Sequence, residues 1–272
     1  VSVPNPENFC GGAFDNWLEV MLYEKCDGAC AWCVEKDGFK PEARVGYSTL
    51  AKLIREDRAE SVILLGGEPT LYPDLKPLLR ETRDDKAMYL TTNGTRFNAE
   101  FVAGTLDGLA GINVSIHDSD LGRNQKITGI VLDQETLEWA VVELRRRGIK
   151  VRFNCNIILG HVADELAVHK YLAWAKDTGV WSVRFSELKN DAERFVSLAP
   201  MFEHAHGLNE NPFVEGCNKS AVIDGVAVNF RQMCGLQTPM RGWPKVARAP
   251  HDKRVLYYDG RYYDGWQTSQ RM

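Results

Sequence analysis

Three cysteines fall within eight residues, Cys26-Asp27-Gly28-Ala29-Cys30-Ala31-Trp32-Cys33, in the spacing C-x3-C-x2-C. Thiolates are soft ligands suited to iron–sulfur clusters or to zinc. Three of them on one short loop can cap three corners of a four-iron, four-sulfur cubane, leaving the fourth iron open to a small molecule. Gly28 and Ala29 keep the loop slim enough to wrap such a group. The triplet alone also admits a zinc knuckle completed by Cys217, Cys234 or a histidine. A second feature is Gly66-Gly67-Glu68-Pro69. Its glycines let the backbone approach a ligand closely. Its amide and carbonyl groups can bind the amino group of an amino-acid-like ligand, and Glu68 can support the turn.

These groups need a frame, and the sequence from Trp17 to about Asn190 supplies an alternation of apolar runs and amphipathic segments. Strands are expected at 18–23, 61–65, 87–91, 111–116, 150–159 and 182–188. The run Ser61 to Leu65 (SVILL) has the continuous apolar character of a strand buried on both faces. Helices are expected at 47–55, with Ser48 as N-cap, and at 73–83, 99–106, 134–147 and 164–176. In the clearest of them, Leu137, Val141 and Leu144 share one face and Gly148 follows as a stop. Right-handed crossovers between such units predict a parallel sheet curled into a partial (β/α)6 barrel. Functional groups should gather at the C-terminal ends of its strands. The cysteine loop follows the first strand and the diglycine turn follows the second, as that rule requires. After residue 190 the pattern changes. Asp224-Gly225 and Asp259-Gly260 are hairpin signals between β-prone segments. The expected division is an N-terminal extension at 1–16, the barrel at 17–190 and a small, mostly β C-terminal appendage at 191–272.

Composition narrows the class. The chain has 272 residues, 44% hydrophobic and 26% charged, with a formal net charge of -4. That is an ordinary globular balance without the basic footprint of a protein that grips bulk nucleic acid. No run approaches a membrane span, and the polar stretch Val1 to Phe9 is not expected to act as a signal peptide. Seven cysteines, Cys10, Cys26, Cys30, Cys33, Cys155, Cys217 and Cys234, make a poor disulfide framework. In a reducing compartment such a set points to metal or catalysis, so a cytoplasmic protein is expected. Cys155, inside the fifth strand, reads as a core residue. His117, at a strand end, reads as a satisfied polar residue or a proton carrier.

The cysteine triplet and the diglycine turn together resemble the radical S-adenosylmethionine (SAM) superfamily, and within it the molybdenum-cofactor cyclase and peptide-modifying branches. Supporting residues are Gly66-Gly67-Glu68-Pro69-Thr70-Leu71, Thr91-Thr92-Asn93-Gly94, Val114-Ser115-Ile116-His117, Lys126-Ile127-Thr128-Gly129 and Val183-Arg184-Phe185-Ser186-Glu187. The resemblance covers roughly residues 17–190. It implies that Cys26, Cys30 and Cys33 ligate a 4Fe-4S cluster and that S-adenosylmethionine binds beside it. Gly66, Gly67 and Glu68 would receive the methionine amino group, and Trp32 would flank the adenine. Ser115 would contact the carboxylate or ribose, and Asn156 to Gly160 would lie beside the adenine. Arg184 and Glu187 would line the pocket.

The resemblance further implies an oxidoreductase-type radical reaction on a peptide, sugar or small-metabolite substrate, with a flavodoxin-like or ferredoxin-like reductant as partner. A nucleotide or RNA substrate, or a zinc-stabilised binding protein without catalysis, are the alternatives. The C-terminal segment resembles a twitch-like appendage, which in relatives often holds an auxiliary iron–sulfur cluster. Cys217 and Cys234 fit that frame, but Val214 stands where a further ligand is expected. Three readings of Cys217 and Cys234 remain open: an auxiliary cluster with unusual ligation, a hydrogen-atom donor to a substrate radical, or plain buried thiols. The run Tyr257 to Tyr263 lines a substrate cleft or packs as a hairpin on the barrel.

Overall fold

A computed structural model describes residues 17–36, 39–188, 191–198, 218–231 and 254–264. Six parallel strands form its centre in chain order: β1 (Trp17–Tyr23), β2 (Ser61–Gly66), β3 (Ala87–Thr92), β4 (Gly111–Ser115), β5 (Lys150–Asn156) and β6 (Ser182–Ser186). Between them run α1 (Tyr47–Glu56), α2 (Leu75–Thr82), α3 (Ala99–Gly104), α4 (Leu121–Thr128), α5 (Gln134–Arg146) and α6 (Glu165–Thr178). The strands alternate two faces. Val62 and Leu64 of β2, Val151 and Phe153 of β5, and Val183 and Phe185 of β6 join the main core with Leu50 and Ile54 of α1, Leu137 and Leu144 of α5 and Tyr171 of α6. By the period of two, the residues between them face the other way, into the hollow of the curled sheet. On β4 to β6 that inner set is polar: Asn113, Ser115, Arg152, Asn154, Asn156, Arg184 and Ser186.

Two hairpins extend the sheet at its ends. β7 (Asn218–Ile223) and β8 (Val226–Arg231) meet at Asp224-Gly225, whose φ values of 52° and 80° are those of a tight left-handed turn. β8 then pairs parallel to β6. β9 (Arg254–Tyr257) pairs parallel to β1 and antiparallel to β10 (Tyr262–Asp264). The order is β10-β9-β1-β2-β3-β4-β5-β6-β8-β7, so the sheet has two ends and the barrel is partial, as expected.

Most elements lie where the sequence places them, with ends shifted by a residue or more. Three details differ. α1 is not capped by Ser48: Gly46 occupies the N-cap without a side-chain bond, and Ser48 lies inside the helix. The segment expected as strand to residue 159 leaves the sheet after Asn156. α4 was not expected at all, because Leu-Gly-Arg-Asn-Gln-Lys-Ile-Thr carries no apolar stripe; it buries Asn124 and Thr128 instead. Among the described residues no helix is long and apolar enough to cross a membrane.

Candidate functional site

The cysteine loop leaves the end of β1 and is fastened on three sides. The first fastening is the diglycine turn. The amide of Gly67 donates to the carbonyl of Tyr23 (2.6 Å), and that of Glu68 to the carbonyl of Lys25 (2.7 Å). A Cβ on Gly66 would lie 2.3 Å from the Tyr23 oxygen, and one on Gly67 2.3 Å from the Lys25 oxygen. Gly66 also has φ +147°. These glycines are therefore required by the passage of the cysteine loop directly over them, and not only by a ligand. Two of the turn's amides are engaged there. An ammonium group donates hydrogen bonds, so the turn's carbonyls are the groups suited to receive it.

Glu68 explains why the turn is rigid. Its carboxyl is buried, at 1% exposure. Oε1 accepts from the Thr70 amide (3.0 Å), the Thr70 hydroxyl (2.6 Å) and the Thr92 hydroxyl (2.6 Å). Oε2 accepts from the Asn93 amide (2.7 Å). Burial nevertheless pushes its pKa above the ordinary carboxylate value. With both oxygens engaged inside the protein, Glu68 holds the turns after β2 and β3 together.

The second fastening comes from the segment after β3. Asp27, next to Cys26, accepts from the Asn93 side-chain amide (2.6 Å) and the Thr95 hydroxyl (2.7 Å). The third is the end of α4. The Ala29 amide donates to the carbonyl of Thr128 (2.6 Å). Gly129 closes the helix at φ 71°, with Ala29 packed where a Cβ would stand. The Thr-Thr-Asn-Gly and Lys-Ile-Thr-Gly segments thus act on the cysteine loop itself.

The three thiols are unpaired by any disulfide; Cys26 and Cys33 are exposed and Cys30 is half-buried. Burial pushes the Cys30 thiol up to about 12, helped by the charges of Cys33 and Cys26. Cys26 is raised for the same first reason, although the Gly28 amide donates to its sulfur (3.3 Å). Thiols so held are protonated at neutral pH, and a metal must displace the protons to bind. Among the described residues no three His, Cys, Asp or Glu side chains converge on a point for one ion. The irons of a cubane occupy separate corners, so its thiolates need not converge. The soft donor set on a loop this short fits such a cluster.

Trp32 turns inward to 9% exposure and packs with Ile158, Leu188, Cys30 and Ile127. Its ring meets His117 edge-on at 5.2 Å. The aromatic of the cysteine loop and the segment after β5 are therefore neighbours. His117 is buried, and its Nδ1 accepts from the Asn156 amide (3.0 Å). Burial, with the His161 charge adding, lowers its pKa to about 4. It is the satisfied polar residue of the two sequence readings. Ser115 and Asn156 are half-buried at the ends of β4 and β5, flanking that histidine.

Arg184 faces the hollow, with Nε donating to Asn229 Oδ1 (3.0 Å). Glu187 accepts the Leu198 amide (2.8 Å) and so anchors the segment after β6. Cys155 is buried in the core at 1% exposure, as expected. Tyr257 is buried and packs on Phe39 and Tyr263, which fits the packing hairpin of the two readings. Cys10, Val214, Cys217 and Cys234 lie outside the described residues.

Sequence reasoning missed Asp118. It is buried, accepts from Arg123 Nε (2.9 Å) and sits 2.9 Å from His161 Nδ1. Arg123 also donates to the Gly160 carbonyl (2.7 Å). This set ties the segments after β4 and β5, and its only local signal is the Asp120 N-cap that starts α4.

Comparison with known proteins places these features in a family. Residues 20–172 match the Radical SAM superfamily. Among curated proteins, the GTP 3',8-cyclase of Actinobacillus pleuropneumoniae serotype 5b is 32% identical over 189 residues, covering 65% of this chain and 54% of that protein. The GTP 3',8-cyclase of Photorhabdus laumondii is 28% identical over 188 residues, covering 63% and 54%. The chain spans about half the length of the curated relatives it matches. Among solved structures, Streptococcus suis SuiB bound to S-adenosylmethionine superposes with a TM-score of 0.65 at 16% identity, over 93% of this chain and 60% of that one. TYW1 with a lysine-pyruvate adduct gives a TM-score of 0.50 at 16% identity, over 79% and 78%. At these identities the two structures share the fold.

Proposed function

The chain belongs to the Radical SAM superfamily, and from that premise we propose that it abstracts a hydrogen atom from a peptide, sugar or small-metabolite substrate. The family's cofactors are a 4Fe-4S cluster and S-adenosylmethionine. Together, when bound and reduced, they supply a 5′-deoxyadenosyl radical by cleavage of a carbon–sulfur bond. One observation carries the assignment to this site: the cysteine loop and the diglycine turn are hydrogen-bonded to each other at adjacent strand ends. Three thiols and an ammonium-accepting turn are thereby held side by side.

The chain's own residues divide the work. Cys26, Cys30 and Cys33 hold the cluster. The carbonyls of the turn at Gly66 and Gly67 receive the methionine ammonium, with Glu68 fixing the turn from behind. Trp32 and Ile158 form an apolar wall for the adenine. Ser115 offers its hydroxyl to the ribose or carboxylate, and Asn156 lies beside the adenine. The rigid strand ends keep reacting atoms within close approach, and the polar hollow suits a polar substrate. We assign the barrel to residues 17–190 and the appendage to 191–272. A flavodoxin-like or ferredoxin-like donor provides the electron. Cys217 and Cys234 bind an auxiliary cluster, donate a hydrogen atom or are plain thiols. Loss of iron in Cys217→Ala and Cys234→Ala selects the first role, unchanged iron with lost turnover the second, and unchanged iron and turnover in both variants the third.

Anaerobic purification tests the assignment. The expected product is a brown protein with about four irons or more, releasing 5′-deoxyadenosine from S-adenosylmethionine when reduced; Cys30→Ala should lose about four of those irons and abolish the release. A colourless protein with stoichiometric zinc overturns it. A nucleotide substrate is the second reading, favoured by half-buried Arg184 on the inner face and by the activity named for the curated relatives. Calorimetric titration with a purine nucleoside triphosphate distinguishes it.

A further inference from the structure

Asp27 stands between the first cluster-holding cysteine and Gly28. Its two oxygens are taken by different residues of one segment, Oδ1 by the Asn93 side-chain amide at 2.6 Å and Oδ2 by the Thr95 hydroxyl at 2.7 Å. That segment is itself held. The Asn93 amide is bound by Glu68 at 2.7 Å, and Asn93 Oδ1 accepts the Thr95 amide at 3.0 Å. A continuous run of hydrogen bonds therefore joins the cysteine loop, the segment after β3 and the diglycine turn. Both donors to Asp27 are neutral. They fix the carboxylate in place and leave its charge uncancelled, and among the described residues no Lys or Arg forms an ion pair with it.

We propose that Asp27 is a positioning residue for the cluster-holding loop. Its carboxylate clasps the loop to Asn93 and Thr95 and keeps a fixed negative charge one residue from Cys26. The inference rests on the assignment of Cys26, Cys30 and Cys33 as cluster ligands. Two consequences follow from electrostatics and from the clasp. A negative charge near a cluster disfavours the added electron, so it makes the midpoint potential more negative. A loop released from its clasp lets iron go more readily.

Two substitutions separate these effects. Asn in place of Asp27 keeps both hydrogen bonds, because its carbonyl still accepts from Asn93 and its amide donates to the Thr95 hydroxyl. Only the charge is lost. Ala removes charge and clasp together. With the reconstituted protein, an EPR-monitored redox titration should show a more positive midpoint potential for Asp27→Asn at unchanged iron content. Iron release to a chelator should run several-fold faster in Asp27→Ala than in the wild type. If Asp27→Ala fails to fold, Thr95→Val, which removes one of the two bonds, takes its place in the release assay. The proposal is overturned if Asp27→Asn leaves the potential where it was, or if the unclasped variant releases iron at the wild-type rate. A wild-type protein that takes up no cluster would instead overturn the assignment of the three cysteines.

Discussion

A methyl group on Gly67 would stand 2.3 Å from the Lys25 carbonyl oxygen, and backbone cannot rotate out of its way as a side chain can. Gly67→Ala is expected to destabilise the protein by roughly 1–3 kcal/mol and to weaken S-adenosylmethionine binding, read by urea unfolding and calorimetry. His117 gives a pH prediction. Its pKa is about 4 when folded, against an ordinary 6.5. The unfolded chain takes up a proton that the folded chain refuses, so this group's contribution is present above pH 6.5 and is lost as the pH falls towards 4. The total is about 3 kcal/mol. Denaturation between pH 7 and pH 4 should show that slope, and His117→Asn should flatten it. The cysteine triplet and the diglycine turn were legible because each is a short pattern with its own chemistry. The bond from Asn93 to Asp27 crosses 66 positions, and neither residue carries a local mark of the other.

Helices were legible where an apolar stripe faces the core, as with Leu137, Val141 and Leu144 of α5. α4 escaped because it buries amide and hydroxyl groups, which no hydrophobic period records. Its role follows from that burial: Asn124 accepts the His117 amide at 2.8 Å, and the helix end receives Ala29. At the other side of the sheet, β9 is clamped by Arg254. Its guanidinium donates to both oxygens of Asp57 at 3.0 and 3.1 Å, and that carboxylate is 1% exposed. Removing the cation leaves a buried charge without its counter-ion, although the Ala59 amide still donates to it. Arg254→Ala should cost roughly 3 kcal/mol, measured as a lower urea midpoint with an unchanged slope.

The whole sheet has a protected middle and two open ends. Strands β2 to β5 have a partner on each side and a helix layer over them, whereas β7 and β10 are edges. Amide hydrogen exchange should therefore be slowest in β2 to β5 and faster in β7 and β10. Uniform protection across all ten strands would contradict this order. The β/α alternation made the six central strands legible, since each unit is local. The docking of the two hairpins on opposite edges was not, because a turn signal fixes a hairpin and says nothing of the strand it joins.

That docking has a consequence for biosynthesis. Glu19 pairs with Val255, so the strand made first among those described waits for one made almost last. At translation rates of roughly 5–20 residues per second, the interval is on the order of ten seconds or more. During that time one side of β1 is an unsatisfied edge of the kind that recruits other chains. The nascent protein must keep the strand that leads into its cysteine loop shielded until Arg254 to Tyr257 leave the ribosome.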